Sequence, residues 1–362
     1  MEIPSRIRDL CKNPATILSQ YKDLGIKVIG YTCSYVPEEL IISAGLQPYR
    51  LSNTGASVSP LTPSFVCPFA SATLENMLSL ESFFSGFVVA HTCDPMWRLY
   101  DILKKKTCKP VFLLRVPHNT DNKLSLDFFR GEILRFRRFL EKNLEAKIDD
   151  NALFRSIRLC NESRNLLKRI YMLNSDGRYK INALDRFRIV LASMWMPKPE
   201  YNAQIKALNF DDSETYGGLR LHVNGTSIYD LNLIKIIEES GGFIASDDLC
   251  TGSRYFWSSV DKSEDPISAL SCRYFKRTPC PSHAPLKPRL EYIDLMIREF
   301  KVQGVVTFAE SFCDPILYDS VHLRKMLARN GIPSMVIDYE NPTQEIGRIK
   351  TRVEAFIESL GG

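Results

Sequence analysis

The sequence predicts an α/β protein built from two parallel-sheet domains related by an internal repeat, with a helical insert between them. One apolar phrase occurs twice, as Gly86-Phe-Val-Val-Ala-His-Thr-Cys93-Asp94-Pro95 and as Gly304-Val-Val-Thr-Phe-Ala-Glu-Ser-Phe-Cys313-Asp314-Pro315. Each is a run for a buried strand, a cysteine at its tip and a proline that opens a helix. Around each phrase, strand-like and helix-like segments alternate, which is the order of a parallel sheet with crossover helices. Between them, residues 121–215 show helical spacing only.

In the first unit, residues 1–120, a helical lead-in precedes a strand at 26–30. Pro37 with Glu38 and Glu39 starts a helix, since proline fits the first turn and acids suit the positive end of the dipole. Gly45 stops it, and Gln47–Leu51 gives the next strand. Cys67-Pro68 starts another helix. The Cys93 strand, a helix to Lys106 and a strand at 110–117 complete the unit.

The middle segment repeats apolar residues at helical intervals, from Phe128 to Leu140 and from Leu153 to Ile170. It holds eleven arginines, expected mostly on solvated helix faces.

The third segment, 216–362, restates the first. Strands are predicted at 219–225 and from Phe243 towards Cys250. Cys280-Pro281 answers Cys67-Pro68, and Cys313-Asp314-Pro315 answers Cys93-Asp94-Pro95. A strand over 331–338 and a last helix over 343–360 close it. The repeat is imperfect, because Cys33 follows the first strand of its half and Cys250 the second.

Composition narrows the function. A net charge of +5, from 47 basic and 42 acidic residues, does not by itself imply nucleic acid. No run of eighteen apolar residues predicts a membrane span, and the first residues lack the apolar core of a signal peptide. A cytoplasmic protein is expected. In that reducing compartment the ten cysteines are ligands or buried apolar residues rather than disulfides. No Cys-x-x-Cys pair occurs, against thioredoxin, zinc-ribbon and ordinary ferredoxin patterns. There is no phosphate-binding P-loop either.

Six cysteines, Cys33, Cys67, Cys93, Cys250, Cys280 and Cys313, are predicted at strand tips or helix starts facing one crevice. Thiolates there are soft ligands, and a helix N-terminus lowers their pKa. Cys11, Cys108, Cys160 and Cys272 lie outside the repeated pattern and are expected to be packing residues. Arg254 is a candidate for a charge-assisted contact to a bound group or substrate, against a plain ion pair. His91 is a candidate acid near Cys93, against a core histidine. Glu39, with Glu38, is a candidate proton donor, although the helix start already explains both.

Cys33-Ser-Tyr-Val-Pro-Glu-Glu-Leu, His91-Thr-Cys93-Asp, Asp247-Asp-Leu-Cys250-Thr-Gly-Ser-Arg254 and Glu310-Ser-Phe-Cys313-Asp314-Pro315 together resemble the D-component of 2-hydroxyacyl-CoA dehydratases. That group also includes benzoyl-CoA reductase subunits and double-cubane cluster proteins. The resemblance runs from about Ile26 to Glu358. It implies flavodoxin-like domains around an iron–sulfur cluster. In dehydratase subunits three cysteines hold one 4Fe–4S unit, by position Cys67, Cys93 and Cys313. Six ligands resemble the double-cubane branch, with Cys33, Cys250 and Cys280 for the second unit. The resemblance further implies an ATP-hydrolysing iron–sulfur activator as electron donor, a homodimer or a heterodimer with a related subunit, and a small-molecule or acyl-CoA substrate.

Three alternatives stay open. One is a single-cluster subunit of a dehydratase acting on (R)-2-hydroxyacyl-CoA. Another is a non-catalytic electron carrier or cluster scaffold. The third is a zinc protein, which would be colourless.

Overall fold

The structure is a computed structural model describing residues 3–54, 57–175, 181–209 and 218–361. Helices α1 (Ser5–Lys12) and α2 (Thr16–Asp23) lead in. The first half then runs β1 (Val28–Tyr31), α3 (Glu38–Ser43), β2 (Gln47–Arg50), α4 (Pro68–Ser79), β3 (Gly86–His91), α5 (Asp94–Lys106) and β4 (Val111–Arg115). Next come α6 (Lys123–Asn143), α7 (Asp150–Met172), α8 (Ala183–Ala192) and α9 (Lys198–Lys206). The second half runs β5 (Leu219–Gly225), α10 (Asn232–Glu239), β6 (Gly242–Asp248), α11 (Ser253–Phe256), α12 (Pro266–Lys276), α13 (Lys287–Glu299), β7 (Gly304–Glu310), α14 (Asp314–Arg329), β8 (Ser334–Tyr339) and α15 (Pro342–Gly361).

Among the described residues the strands form two four-stranded sheets, ordered β2-β1-β3-β4 and β6-β5-β7-β8. Every pairing is parallel, and the second order copies the first strand for strand. Parallel strands are covered on both faces, which explains why β3 and β7 are continuous apolar runs rather than alternating ones. In this order the chain reverses direction across the sheet at β1/β3 and again at β5/β7. The carboxyl ends of strands at such switch points border a crevice.

Local chemistry sets the helix starts. Asp94 with Pro95, and Asp314 with Pro315, occupy the first turns of α5 and α14, where an acid meets the positive end of the dipole. Lys104, Lys105 and Lys106 balance the other end of α5.

The helices of the middle segment cover both sheets. Ile133, Phe136 and Leu140 of α6 pack with Val88 and Leu114 on one face of the first sheet, while Phe187 of α8 packs with Leu221 and Val223 of the second. From the second half, Ile267, Leu270 and Tyr274 of α12 join the first-sheet core. The two halves are therefore stitched together by buried apolar surface. Among the described residues no helix is long and apolar enough to cross a membrane.

Candidate functional site

Five of the six cysteines are held at or within two residues of an element boundary; Cys280, expected at a helix start like Cys67, instead lies in the loop between α12 and α13, seven residues before α13 begins. Cys33 follows β1, in a turn closed by Val36 N–H on its carbonyl at 3.0 Å. Cys67, Cys93 and Cys313 are the residues immediately before α4, α5 and α14. Their carbonyls accept the first helical bonds, from Ser71 at 3.1 Å, Trp97 at 3.3 Å and Ile316 at 3.1 Å. Cys250 follows β6, and its N–H donates to Thr226 O at 2.7 Å in the turn after β5. Cys280 lies between α12 and α13, its N–H donating to Tyr35 Oη at 3.4 Å in the other half.

The loop that carries Cys250 is built on the buried Asp247. Asp247 Oδ1 accepts from Leu249 N–H at 3.1 Å and Ser253 N–H at 2.8 Å, and Oδ2 accepts from Tyr171 Oη at 2.7 Å. Gly252 is required there, because a Cβ would sit 2.1 Å from Asp247 Oδ1.

All six cysteines line a single cavity, together with Arg50, Arg254, Arg277 and Glu310. Arg50 enters from the end of β2. Its carbonyl accepts from Trp195 Nε1 at 2.9 Å and its N–H donates to Met194 O at 3.1 Å. Across the gap its Nη2 donates to Cys250 Sγ at 3.4 Å. Arg254 donates through Nη2 to Gly225 O at 2.9 Å and Thr226 O at 3.1 Å. Arg277 bridges the halves, bonding the carbonyls of Ser34 and Arg254. Some of their buried nitrogens have no hydrogen-bond partner: Arg50 Nε and Nη1, Arg254 Nη1 and Arg277 Nε. Burial opposes charge on Arg50 and Arg254. Their surroundings outweigh it, Tyr229, Cys250 and Cys33 holding Arg50 protonated, and Asp248, Cys280 and Cys250 holding Arg254.

The thiols are not equivalent. Cys67 and Cys313 act on each other across the halves, which pushes Cys67 up and Cys313 down, so Cys313 is the more readily ionised of the pair. The Ile316 amide at the start of α14 adds to that effect on Cys313. Cys93 is pushed up to about 12 by burial, with Cys313, Cys280 and Cys33 nearby. Burial also raises Cys280, against the pull of Arg254. Glu310, at the end of β7, stands 3.8 Å from Cys67 Sγ, and burial beside Cys313 raises its carboxyl to about 8.

The remaining candidates separate. Arg254 lines the cavity; His91 and Glu39 do not. The His91 ring packs edge-on against Trp97 at 4.5 Å and His118 at 5.5 Å. Burial and His118 hold its pKa below the usual value. Glu39 is fully buried and saturated, with Arg164 Nη2 at 2.5 Å and Tyr274 Oη at 2.8 Å. Burial alone would raise it, but Arg164 and Arg273 hold it ionised. Its neighbour Glu38 is likewise taken up by Tyr255 Oη at 2.7 Å and Lys198 Nζ at 3.1 Å. Sequence reasoning gave no role to Arg50, Arg277 or Glu310. The one available signal was position, since Arg50 and Glu310 end strands as the cysteines do.

Thiol donors fit a thiophilic metal group, and unpartnered guanidinium N–H groups fit a group that carries negative charge. Among the described residues no three His, Cys, Asp or Glu side chains converge on one point as the ligands of a single ion do.

The family described as 2-hydroxyglutaryl-CoA dehydratase, D-component, matches residues 33–360. The (R)-phenyllactyl-CoA dehydratase beta subunit of Clostridium sporogenes is 28% identical over 98% of this chain and 97% of its own length. A benzoyl-CoA reductase subunit of Thauera aromatica is 28% identical over 95% and 94%. The (R)-2-hydroxyglutaryl-CoA dehydratase beta subunit of Acidaminococcus fermentans is 28% identical over 96% of each. The chain therefore belongs to the 2-hydroxyglutaryl-CoA dehydratase D-component family.

Proposed function

We propose that this chain is an iron–sulfur enzyme subunit that accepts low-potential electrons from an ATP-dependent activator and reduces a small substrate at a double-cubane cluster. The observation that carries the reading is that Cys33, Cys67, Cys93, Cys250, Cys280 and Cys313, three from each half, line one cavity. Cys67, Cys93 and Cys313 would hold one 4Fe–4S unit and Cys33, Cys250 and Cys280 the other. Bound there, such a group supplies one-electron reduction at low potential.

The chain's own residues perform the rest. Arg50, Arg254 and Arg277 place fixed positive charge at the thiols, which favours an added electron. Cys67 is buried, and the other five cysteines are half-buried at the cavity wall. Glu310 keeps a proton next to Cys67 below about pH 8. The thiols release their protons on binding metal, so loading is pH-dependent.

A second reading is favoured by the relatives, which are named as beta subunits of dehydratases and as a reductase subunit. In it the chain pairs with a related subunit, holds a single 4Fe–4S unit on Cys67, Cys93 and Cys313, and acts on a (R)-2-hydroxyacyl-CoA.

Cys313→Ala and Cys250→Ala separate the two readings. In anaerobic preparations each variant is expected to lose roughly half the iron under the first reading, whereas under the second only Cys313→Ala loses iron. Wild-type turnover with activator and ATP excludes a passive carrier. Unchanged iron in both variants would reject the ligand set.

A further inference from the structure

Immediately beside Cys313 the surface is apolar. Tyr318 is 76% exposed, Val321 50%, Phe312 42% and Leu317 37%. Leu317, Tyr318 and Val321 lie on one side of α14, at i, i+1 and i+4. Phe312 has φ +61°, a conformation that aromatic residues rarely adopt, and its ring is turned out to solvent just before the cysteine. Phe65, 69% exposed, lies two residues before Cys67, which lines the same cavity as Cys313.

The internal repeat supplies a control. Aligning Cys93-Asp94-Pro95 with Cys313-Asp314-Pro315 sets Thr92 against Phe312, Arg98 against Tyr318 and Asp101 against Val321. Thr92 is buried. Arg98 is exposed and ion-pairs along its own helix with Asp94 at 3.8 Å and Asp101 at 3.7 Å. Three of the four positions are thus polar on α5 and apolar on α14, while the fourth, Leu317, answers Trp97. The fold does not require the apolar face.

We infer that the α14 face is the docking surface for a transient electron-donor protein that presents a small apolar patch of its own. This rests on the iron–sulfur reading above. Two observations select that occupant. Four side chains cover only a few hundred Å2, well short of the roughly 800 Å2 per partner of a stable interface and in the range of brief electron-transfer encounters. The face also abuts Cys313 through the first turn of α14, where Leu317 N–H donates to Cys313 O at 3.2 Å, so a donor seated there has a short path to the cavity. One electron leaves the reduced donor, which is oxidised by one, and enters the group at the thiols; no bond is made or broken.

The test uses the anaerobic, iron-loaded protein with Tyr318→Glu, Val321→Glu and, as control, Arg98→Glu. Binding of the cognate ATP-hydrolysing activator, trapped with ADP and aluminium fluoride, is titrated directly. The first two variants are expected to weaken binding at least tenfold and to lower the activator-driven rate, with iron content and dithionite-driven reduction unchanged. Arg98→Glu is expected to bind as wild type does. Unchanged binding by the α14 variants overturns the inference. Conversion of a wild-type dimer to monomer by Tyr318→Glu also overturns it, since the face would then join two copies. If the wild-type protein holds no iron, the functional reading fails first and takes this inference with it.

Discussion

Arg50 of the first half donates to Cys250 of the second at 3.4 Å, with its Nε and Nη1 left without partners in a buried setting. A cation fixed there makes a nearby anionic group easier to reduce. Arg50→Gln is therefore expected to retain iron and to shift the midpoint potential downward by about 60 mV or more, a tenfold change for one electron. A redox titration followed by electron paramagnetic resonance reads the shift. An unmoved potential would leave Arg50 as a packing residue.

Glu39 belongs to a different network. Its carboxylate meets Arg164 at 2.5 Å with both side chains buried. Removing one partner of such a pair strands the other, at about 3–5 kcal/mol. Glu39→Ala is expected to lower the urea midpoint accordingly, while iron per folded chain stays at the wild-type value. Replacing both members by Leu and Met is expected to recover most of the loss. Lost iron at full stability would instead give Glu39 a part in the site.

The Cys250 loop depends on the absence of one side chain. Gly252→Ala drives a Cβ into Asp247 Oδ1, which must then release the amides of Leu249 and Ser253. Each buried group left unpaired costs about 1–3 kcal/mol. Reduced stability together with a less well-held Cys250 is expected, read by urea melts and by the rate of thiol labelling in the metal-free protein. Wild-type values in both would show that the loop tolerates the methyl group.

Acid stability has an identifiable contributor in His222. It is fully buried in β5, bonded to Ser246 Oγ at 2.8 Å, and burial with Arg289 nearby lowers its pKa from 6.5 to about 3. An unfolded chain takes up this proton near pH 6.5, the folded one only near 3. Stability is therefore full above that window and falls as pH drops through it, by about 1.4 kcal/mol per unit for this one group. In urea melts of the metal-free protein from pH 7 to 4, His222→Gln is expected to show a shallower decline than wild type. Parallel declines would place the acid lability elsewhere.

Much of this was legible in the chain because its determinants are local. A strand covered on both faces is a continuous apolar run, and Cys-Asp-Pro announces a helix start wherever it stands. Finding the phrase twice gave the two parallel sheets and put cysteines at strand tips. The rest depends on residues far apart. Glu39 looks like an ordinary helix-start acid until Arg164 and Tyr274, 125 and 235 positions away, close on it. Arg50 reads as the last residue of a short strand, and only its approach to Cys250, 200 positions on, gives it a role. The helical spacing of 121–215 could not say which sheet each helix would cover, because both sheets offer the same kind of apolar face.

The central claim is that six thiols from two repeated halves hold one polynuclear iron group. Counting iron and acid-labile sulfide per chain, in protein prepared and kept without oxygen, tests it most directly. About eight irons are expected, and about four would transfer the account to the single-cluster reading. A colourless protein, free of iron and sulfide or carrying zinc instead, would contradict it.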